Sequence, residues 1–347
     1  MPDYDSLDRS LEALKPYGPS LKSGLSNHVP MAAEALCAMG EAAASAQWVQ
    51  AQLDSIARQP KPVFGLDPKH WQDGLATSDL YADWQRYFET EIEALGWQKA
   101  LDKWAGRMAP GLFASATHGL IRAGHAARAL ADADTPLRRR ELSEGLAVWA
   151  SSYQPLPTDR SAAHPMETIE MAFDRLPRIP AEKRKTQGLI TDALKPLDDM
   201  PEFAGVIGWI NLDEDPGAIA NQLAARQARV FLDHVHTPLL AIVFTHSITS
   251  VHAVLNMVPH ISPSTTKDLL AFGWQAGAAL YASYAEETVR SDPPAAEANA
   301  DIIAHAVANG DDHVIKLSEA CLSFYGCTGD RIFLQVPAHA RTFLHGD

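Results

Sequence analysis

Apolar residues recur along almost the whole chain at helical spacing, three and four residues apart, and almost nowhere in the strict alternation of a half-buried strand. This periodicity predicts helices over 31–57, 78–103, 110–133, 136–151, 216–236, 238–258, 264–290, 295–308, 311–324 and 330–344. Pro110, Pro136, Pro216 and Pro238 stand at predicted helix starts, where a missing N–H costs little. Asn27 is placed to cap the first long helix, with Pro30 in its first turn and His28 at its amino end. Between residues 153 and 201 the pattern breaks: Pro155, Pro157, Pro165, Pro177, Pro180 and Pro196 separate short apolar pieces. That stretch reads as a connection with one-turn helices, or as a lid. The expected fold class is all-α, a single large multi-helix domain over 1–347 with 153–201 as a proline-rich connection or lid within it.

Composition sharpens this picture in few places. Hydrophobic residues make up 46% of the 347, enough for a substantial core, and charged residues 21%, unlike a disordered chain. A net charge of -14 argues against nucleic acid or an anionic membrane as partner. Residues 239–258 are the most apolar stretch, but His246, His252 and Asn256 interrupt it. The start of the chain lacks the basic and apolar regions of a signal peptide, and the expected location is cytoplasmic. Cys37, Cys321 and Cys327 have neither disulfide-framework nor zinc-knuckle spacing. Glycine-rich phosphate loops, dinucleotide fingerprints and Gly-x-Ser-x-Gly elbows are missing from the sequence.

What remains is a set of histidines in apolar, helix-patterned surroundings: His28; His118 and His125; His246 and His252; His305 and His313. Imidazole is costly to bury without a partner, and a transition metal is the partner that satisfies several at once. His118 and His125, seven apart, share one side of a helix with Arg122 between them. His313 and Lys316, three apart, share a face. His246 and His252 lie about 240° apart around a helix, so one centre is not expected to use both. Each histidine also has a plainer reading as a hydrogen-bonded core residue. Lys316 sits among Val314, Ile315 and Leu317, where an ammonium is disfavoured. It is either paired with Glu319 or, having lost its proton or captured carbon dioxide, a metal ligand.

Four segments resemble those of the questin oxidase-like family. They are Asn27-His28 with Pro30-Met31-Ala32 and Glu34-Ala35-Leu36, Thr117-His118-Gly119-Leu120-Ile121-Arg122 with Gly124-His125-Ala126, Thr245-His246-Ser247-Ile248-Thr249-Ser250 with His252-Ala253, and His305-Ala306 followed by Gly310-Asp311-Asp312-His313-Val314-Ile315-Lys316 with Glu319-Ala320. The resemblance implies an all-helical fold and an oxygen-dependent enzyme that inserts oxygen into, or cleaves, a ring of a quinone or polycyclic phenol. It further implies Fe(II) held in the interior of the helix bundle by His28, His118, His246 and His313, with Lys316 carboxylated as a further ligand. Arg122, His125, His252 and His305 are then the catalytic candidates, giving hydrogen bonds behind the ligands or holding a substrate oxyanion. Trp84, Trp97, Trp209, Phe244 and Trp274 are the candidate walls of an apolar pocket. The expected partners are an aromatic or quinone small molecule and molecular oxygen, with NADPH as a candidate external reductant.

Two other functions compete at this level. A metal-dependent hydrolase can be built from histidine and aspartate clusters, and a carbamylated lysine bridging two metals is a hydrolytic device. The Asp311-Asp312-His313 order is not a His-Asp dyad, however, and no basic patch accompanies it. A helical binding protein with satisfied core histidines predicts no stoichiometric metal.

Overall fold

A computed structural model describes residues 2–162, 164–185, 187–286 and 294–346. The chain opens with α1 (Leu7–Leu14), β1 (Tyr17–Leu21), α2 (Val29–Ala38), α3 (Ala42–Gln52) and β2 (Ile56–Arg58). Asn27 accepts the Val29 N–H at 3.0 Å, so its side chain does meet the start of α2, while His28 takes the cap position itself. The single helix expected over 31–57 is two. Gly40, at φ 88°, turns the chain between α2 and α3 in a conformation that glycine adopts without strain. β1 and β2 pair antiparallel, Tyr17 opposite Arg58 and Leu21 opposite Ile56, with an irregularity between. The helical periodicity gave no sign of this hairpin, because strands of five and three residues are too short to set a period.

Next come α4 (Tyr81–Leu95) and α5 (Trp97–Met108), separated at Gly96 where one helix was expected, then α6 (His118–Asp132) and α7 (Pro136–Ser151). The proline-rich stretch carries α8 (Ile169–Asp174) and α9 (Ile190–Ala193), with α10 (Pro201–Ala204) at its end and 3-10 turns between them. The second half holds α11 (Pro216–His234), α12 (Pro238–Met257), α13 (Pro263–Tyr284), α14 (Asn299–Asn309), α15 (Asp312–Thr328) and α16 (Val336–Ala340). Part of the helix expected over 264–290 falls outside the described residues.

Four long helices start on one local signature, a small oxygen-bearing residue followed by proline. Thr135, Asp215, Thr237 and Ser262 each accept an N–H of the first turn, and Pro136, Pro216, Pro238 and Pro263 follow them. Each such cap contributes about 1 kcal/mol.

α12 is the axis of the molecule, packed by α6, α11, α13 and α15. By length and composition it could cross a membrane, yet most of it is buried in the protein. α6 comes so close that a Cβ on Gly124 would stand 2.7 Å from the Ala253 Cα. α2 packs on α6 and α15, closing a four-helix arrangement of α2, α6, α12 and α15. One continuous core of buried side chains runs from α4 to α16, so the chain is a single, mostly helical domain.

Candidate metal centre

Each of these four helices contributes a histidine to one place, three of them from its first turn. His28 caps α2, His118 is the first residue of α6, and His313 is the second of α15. His246 comes from the third turn of α12. The positive ends of three helices therefore face the cluster, which opposes an imidazolium there.

The Nε2 atoms of His28 and His118 lie 2.5 Å apart, and that of His246 lies 3.1 Å from His118. The ligand atoms of His28, His246 and His313 all fall within 4.8 Å of one another. In each of the first three rings the other nitrogen is engaged. Nδ1 donates to Asp312 Oδ1 at 2.6 Å from His28, to the Ser115 carbonyl from His118, and to the Ile242 carbonyl at 2.7 Å from His246. With its proton on Nδ1, a neutral imidazole presents only a lone pair at Nε2. Three lone pairs thus face one another in the interior. The Nε2 of His313 is buried with no hydrogen-bond partner among the described residues.

Lone pairs so arranged repel one another unless a cation stands between them. Two nitrogens bound at right angles to one ion at about 2.1 Å stand about 3 Å apart, close to the His118–His246 spacing. The donor set, the locked Nδ1 protons and the orphaned Nε2 of His313 therefore fit a transition metal.

Protonation preferences agree with this picture. Burial holds His28 down at about 4 despite Asp312, and keeps His118 and His246 well below the ordinary imidazole range. Burial lowers His313 too, but Asp312 and Asp311 beside it together outweigh burial and raise it. Burial also lowers Lys316, 3% exposed, against the pull of Asp312 3.5 Å from its Nζ. Its ion-pair partner is Asp312, one turn back, where the sequence had left Glu319 or a metal as alternatives.

Glu319 belongs to a second polar layer further along the same helices, with Glu34 on α2, His125 on α6 and His252 on α12. Arg128 of α6 is its centre. Its Nε and Nη2 bind the two oxygens of Glu34 at 2.8 and 2.6 Å, and its Nη1 binds Glu319 Oε1. His125 Nδ1 meets Glu34 Oε2 at 2.6 Å, and Tyr4 donates to Glu34 Oε1 at 2.7 Å. His252 Nδ1 is 3.5 Å from Glu319 Oε2. A cavity of about 360 Å3 lined by Tyr4, Met39, Arg128 and Glu319 opens beside this layer.

The other expected site residues are elsewhere. Arg122 is paired with Glu141, at 2.6 and 2.8 Å, and with Glu144, between α6 and α7, while its Nη1 is buried with no hydrogen-bond partner among the described residues. His305 is a correction: its side chain is 51% exposed on α14, against Glu297 and Arg341. The left-handed Gly310 ends α14 and turns α15 away, so nearness to His313 in sequence does not carry over into space. Trp84 stacks with Phe88 and meets Trp104, Trp97 lies against His260, Trp274 against Phe173, and Phe244 near His234. These four are core residues, and Trp209 is half-buried at the core's edge.

Sequence reasoning gave no role to Asp312 and Glu34, which lie inside the resembling segments, and did not single out Arg128. The available signal was spacing. Glu34 follows His28 by six residues, as His252 follows His246 and Glu319 follows His313, while His125 follows His118 by seven.

Comparison with curated proteins finds no match. The sequence model of the questin oxidase-like family, however, matches residues 25–321, a span that includes all four clustered histidines and Lys316. The chain therefore belongs to the questin oxidase-like family.

Proposed function

We propose that this protein is a non-haem iron-dependent oxygenase that inserts oxygen into, or cleaves, a ring of a quinone or polycyclic phenol. In this reading His28, His118, His246 and His313 hold Fe(II) through Nε2, and Lys316, carboxylated, adds an anionic oxygen. The observation that carries it is the convergence of three Nδ1-locked imidazoles beside a fourth whose buried Nε2 has no partner. Family membership supports the reaction class, an oxygenase acting on an aromatic substrate.

Iron bound here supplies the open position and the electron exchange that let oxygen react with a closed-shell aromatic ring. The chain's own residues do the rest. The Ser115 and Ile242 carbonyls fix two rings and keep their protons on Nδ1. Burial keeps His28, His118 and His246 neutral, as coordination requires. Burial of Lys316 favours its neutral amine, whose Nζ lone pair forms the bond to the carbon of carbon dioxide as a proton leaves for solvent. If both oxygen atoms enter the ring, no reductant is needed. If one leaves as water, two electrons come from an external donor, with NADPH as the proposed source.

The test is oxygen uptake by protein reconstituted anaerobically with Fe(II), offered a panel of hydroxyanthraquinones and polycyclic phenols with and without NADPH. Uptake coupled to isotope-labelled oxygen in a ring-opened or ring-expanded product is expected. Iron-loaded protein that consumes no oxygen with any member of the panel would contradict the reading.

A further inference from the structure

Three hydrogen-bond or charge partners share one oxygen atom at this site. Asp312 Oδ1 is 2.6 Å from His28 Nδ1, 2.9 Å from His313 Nδ1 and 3.5 Å from Lys316 Nζ. His118 and His246, by contrast, are oriented by backbone carbonyls, which no side-chain change removes. Asp312 is the first residue of α15, and its neighbour Asp311 caps that helix through the N–H groups of His313 and Val314 at 2.9 and 3.0 Å. The cap thus frees Asp312 from serving the helix end and leaves its carboxylate to the cluster.

We infer that Asp312 is the positioning residue of the centre, a single carboxylate oxygen that orients two ligands on different helices and holds Lys316 beside them. This rests on the metal-centre reading above. His28 is 284 residues away in sequence, and among the described residues Asp312 alone holds its ring at Nδ1. An Nδ1–H committed to Asp312 turns the Nε2 of His28 toward His118. The same oxygen lies 2.9 Å from His313 Nδ1 on its own helix, closer than Asp311 Oδ1 at 3.7 Å, so α2 and α15 are tied at the level of the histidine cluster. The lysine contact is the longest of the three, which makes Lys316 the member most readily released toward the centre. Outer partners of this kind typically contribute about 10- to 100-fold in metal affinity.

The experiment compares wild type, Asp312→Ser and Asp312→Asn. Serine suits the start of a helix but is too short to span the gap to His28. Asparagine keeps an oxygen acceptor and loses the charge. Anaerobic titration with Co(II), followed by visible absorption, reads affinity and ligand geometry together. Nitrogen NMR of the metal-free proteins reads the histidine tautomers. Wild type is expected to bind one Co(II) per chain with His28 in the Nδ1–H form. In Asp312→Ser, affinity falls about 10- to 100-fold, the absorption bands change, and the His28 tautomer becomes mixed. Asp312→Asn recovers the bands and most of the affinity. A serine variant with wild-type affinity, bands and tautomer would overturn the inference. Wild type that binds no Co(II) would instead sink the metal centre on which it rests. The tautomer measurement needs no metal and still decides the positioning role in that case.

Discussion

The same four helices build two polar layers about 9–10 Å apart, and the layers solve the burial problem in opposite ways. The layer of Glu34, His125, His252 and Glu319 carries its own cation. The Arg128 guanidinium bridges the two carboxylates, and His125 and Tyr4 bind Glu34, although His252 Nε2 and Glu319 Oε2 have no hydrogen-bond partner among the described residues. In the other layer, His28, His118 and His246 are neutral rings whose outer nitrogens are tied back and whose inner nitrogens crowd together, beside the partnerless Nε2 of His313 among the described residues. Buried polar groups that find one another stabilise a fold. Buried groups whose lone pairs point at a common spot call for something the chain does not supply.

This contrast can be broken most severely from the histidine side. His118 touches both His28 and His246, so His118→Ala is expected to reduce metal affinity by more than the ~100-fold upper range for losing an outer partner. The metal-free protein should barely change in stability, because the ring removed is one of a mutually repelling set. Chelator competition and thermal unfolding with and without metal check both halves.

Arg128 should behave in reverse. Arg128→Met strands two buried carboxylates and is expected to cost about 3–5 kcal/mol in urea unfolding, with metal stoichiometry untouched. Neutralising the carboxylates as well, in a Glu34→Gln, Arg128→Met, Glu319→Gln variant, should recover much of that loss. Equal damage to metal binding from Arg128→Met would erase the distinction between the layers.

Acid probes the lower layer more gently. Burial holds His252 at about 4, against the pull of Glu319, where the ordinary value is 6.5. Between those values the unfolded chain binds more protons at this residue than the folded one. Stability therefore rises with pH across that window and is lost as pH falls through it. Glu34 is buried, which alone would raise it, but Arg128 and His125 hold it below its ordinary 4.5, so its contribution disappears at still lower pH. In His252→Gln the melting temperature should fall less steeply between pH 6.5 and 4.

The smallest expected effect lies in the turn before His118. Ser115, Ala116 and Thr117 have φ of 50°, 54° and 71°, three consecutive left-handed residues without a glycine. Such backbone costs about 1–2 kcal/mol per residue, and here it delivers the Ser115 carbonyl to His118. Ala116→Gly should stabilise the protein by up to about 1 kcal/mol, part of the relief being offset by glycine's larger entropy loss. Thermal unfolding measures it.

Helix existence was legible because periodicity and the oxygen-then-proline starts at Thr135, Asp215, Thr237 and Ser262 are local signals. Helix length was less so, since Gly40 and Gly96 divide predicted helices by backbone conformation while the apolar pattern continues across them. At the site, the resemblance named four histidines that the fold brings together, and the helical face shared by His313 and Lys316 was visible in their spacing. The carboxylates were not. Glu34 and Glu319 look like ordinary helix-surface acids until tertiary packing buries them, Asp312 keeps a side chain that is 28% exposed, and His305 could share a side with His313 only if the Asn309-Gly310 turn allowed it, which the left-handed Gly310 does not.

The central claim, one metal ion held between the four histidines, is tested most directly by metal content. Anaerobically purified wild type and His313→Ala should be compared by mass spectrometry after reconstitution with Fe(II). The account predicts about one iron per chain in wild type and its loss in the variant, whose missing Nε2 is buried with no hydrogen-bond partner among the described residues. No bound metal in either protein, or equal iron in both, would contradict it.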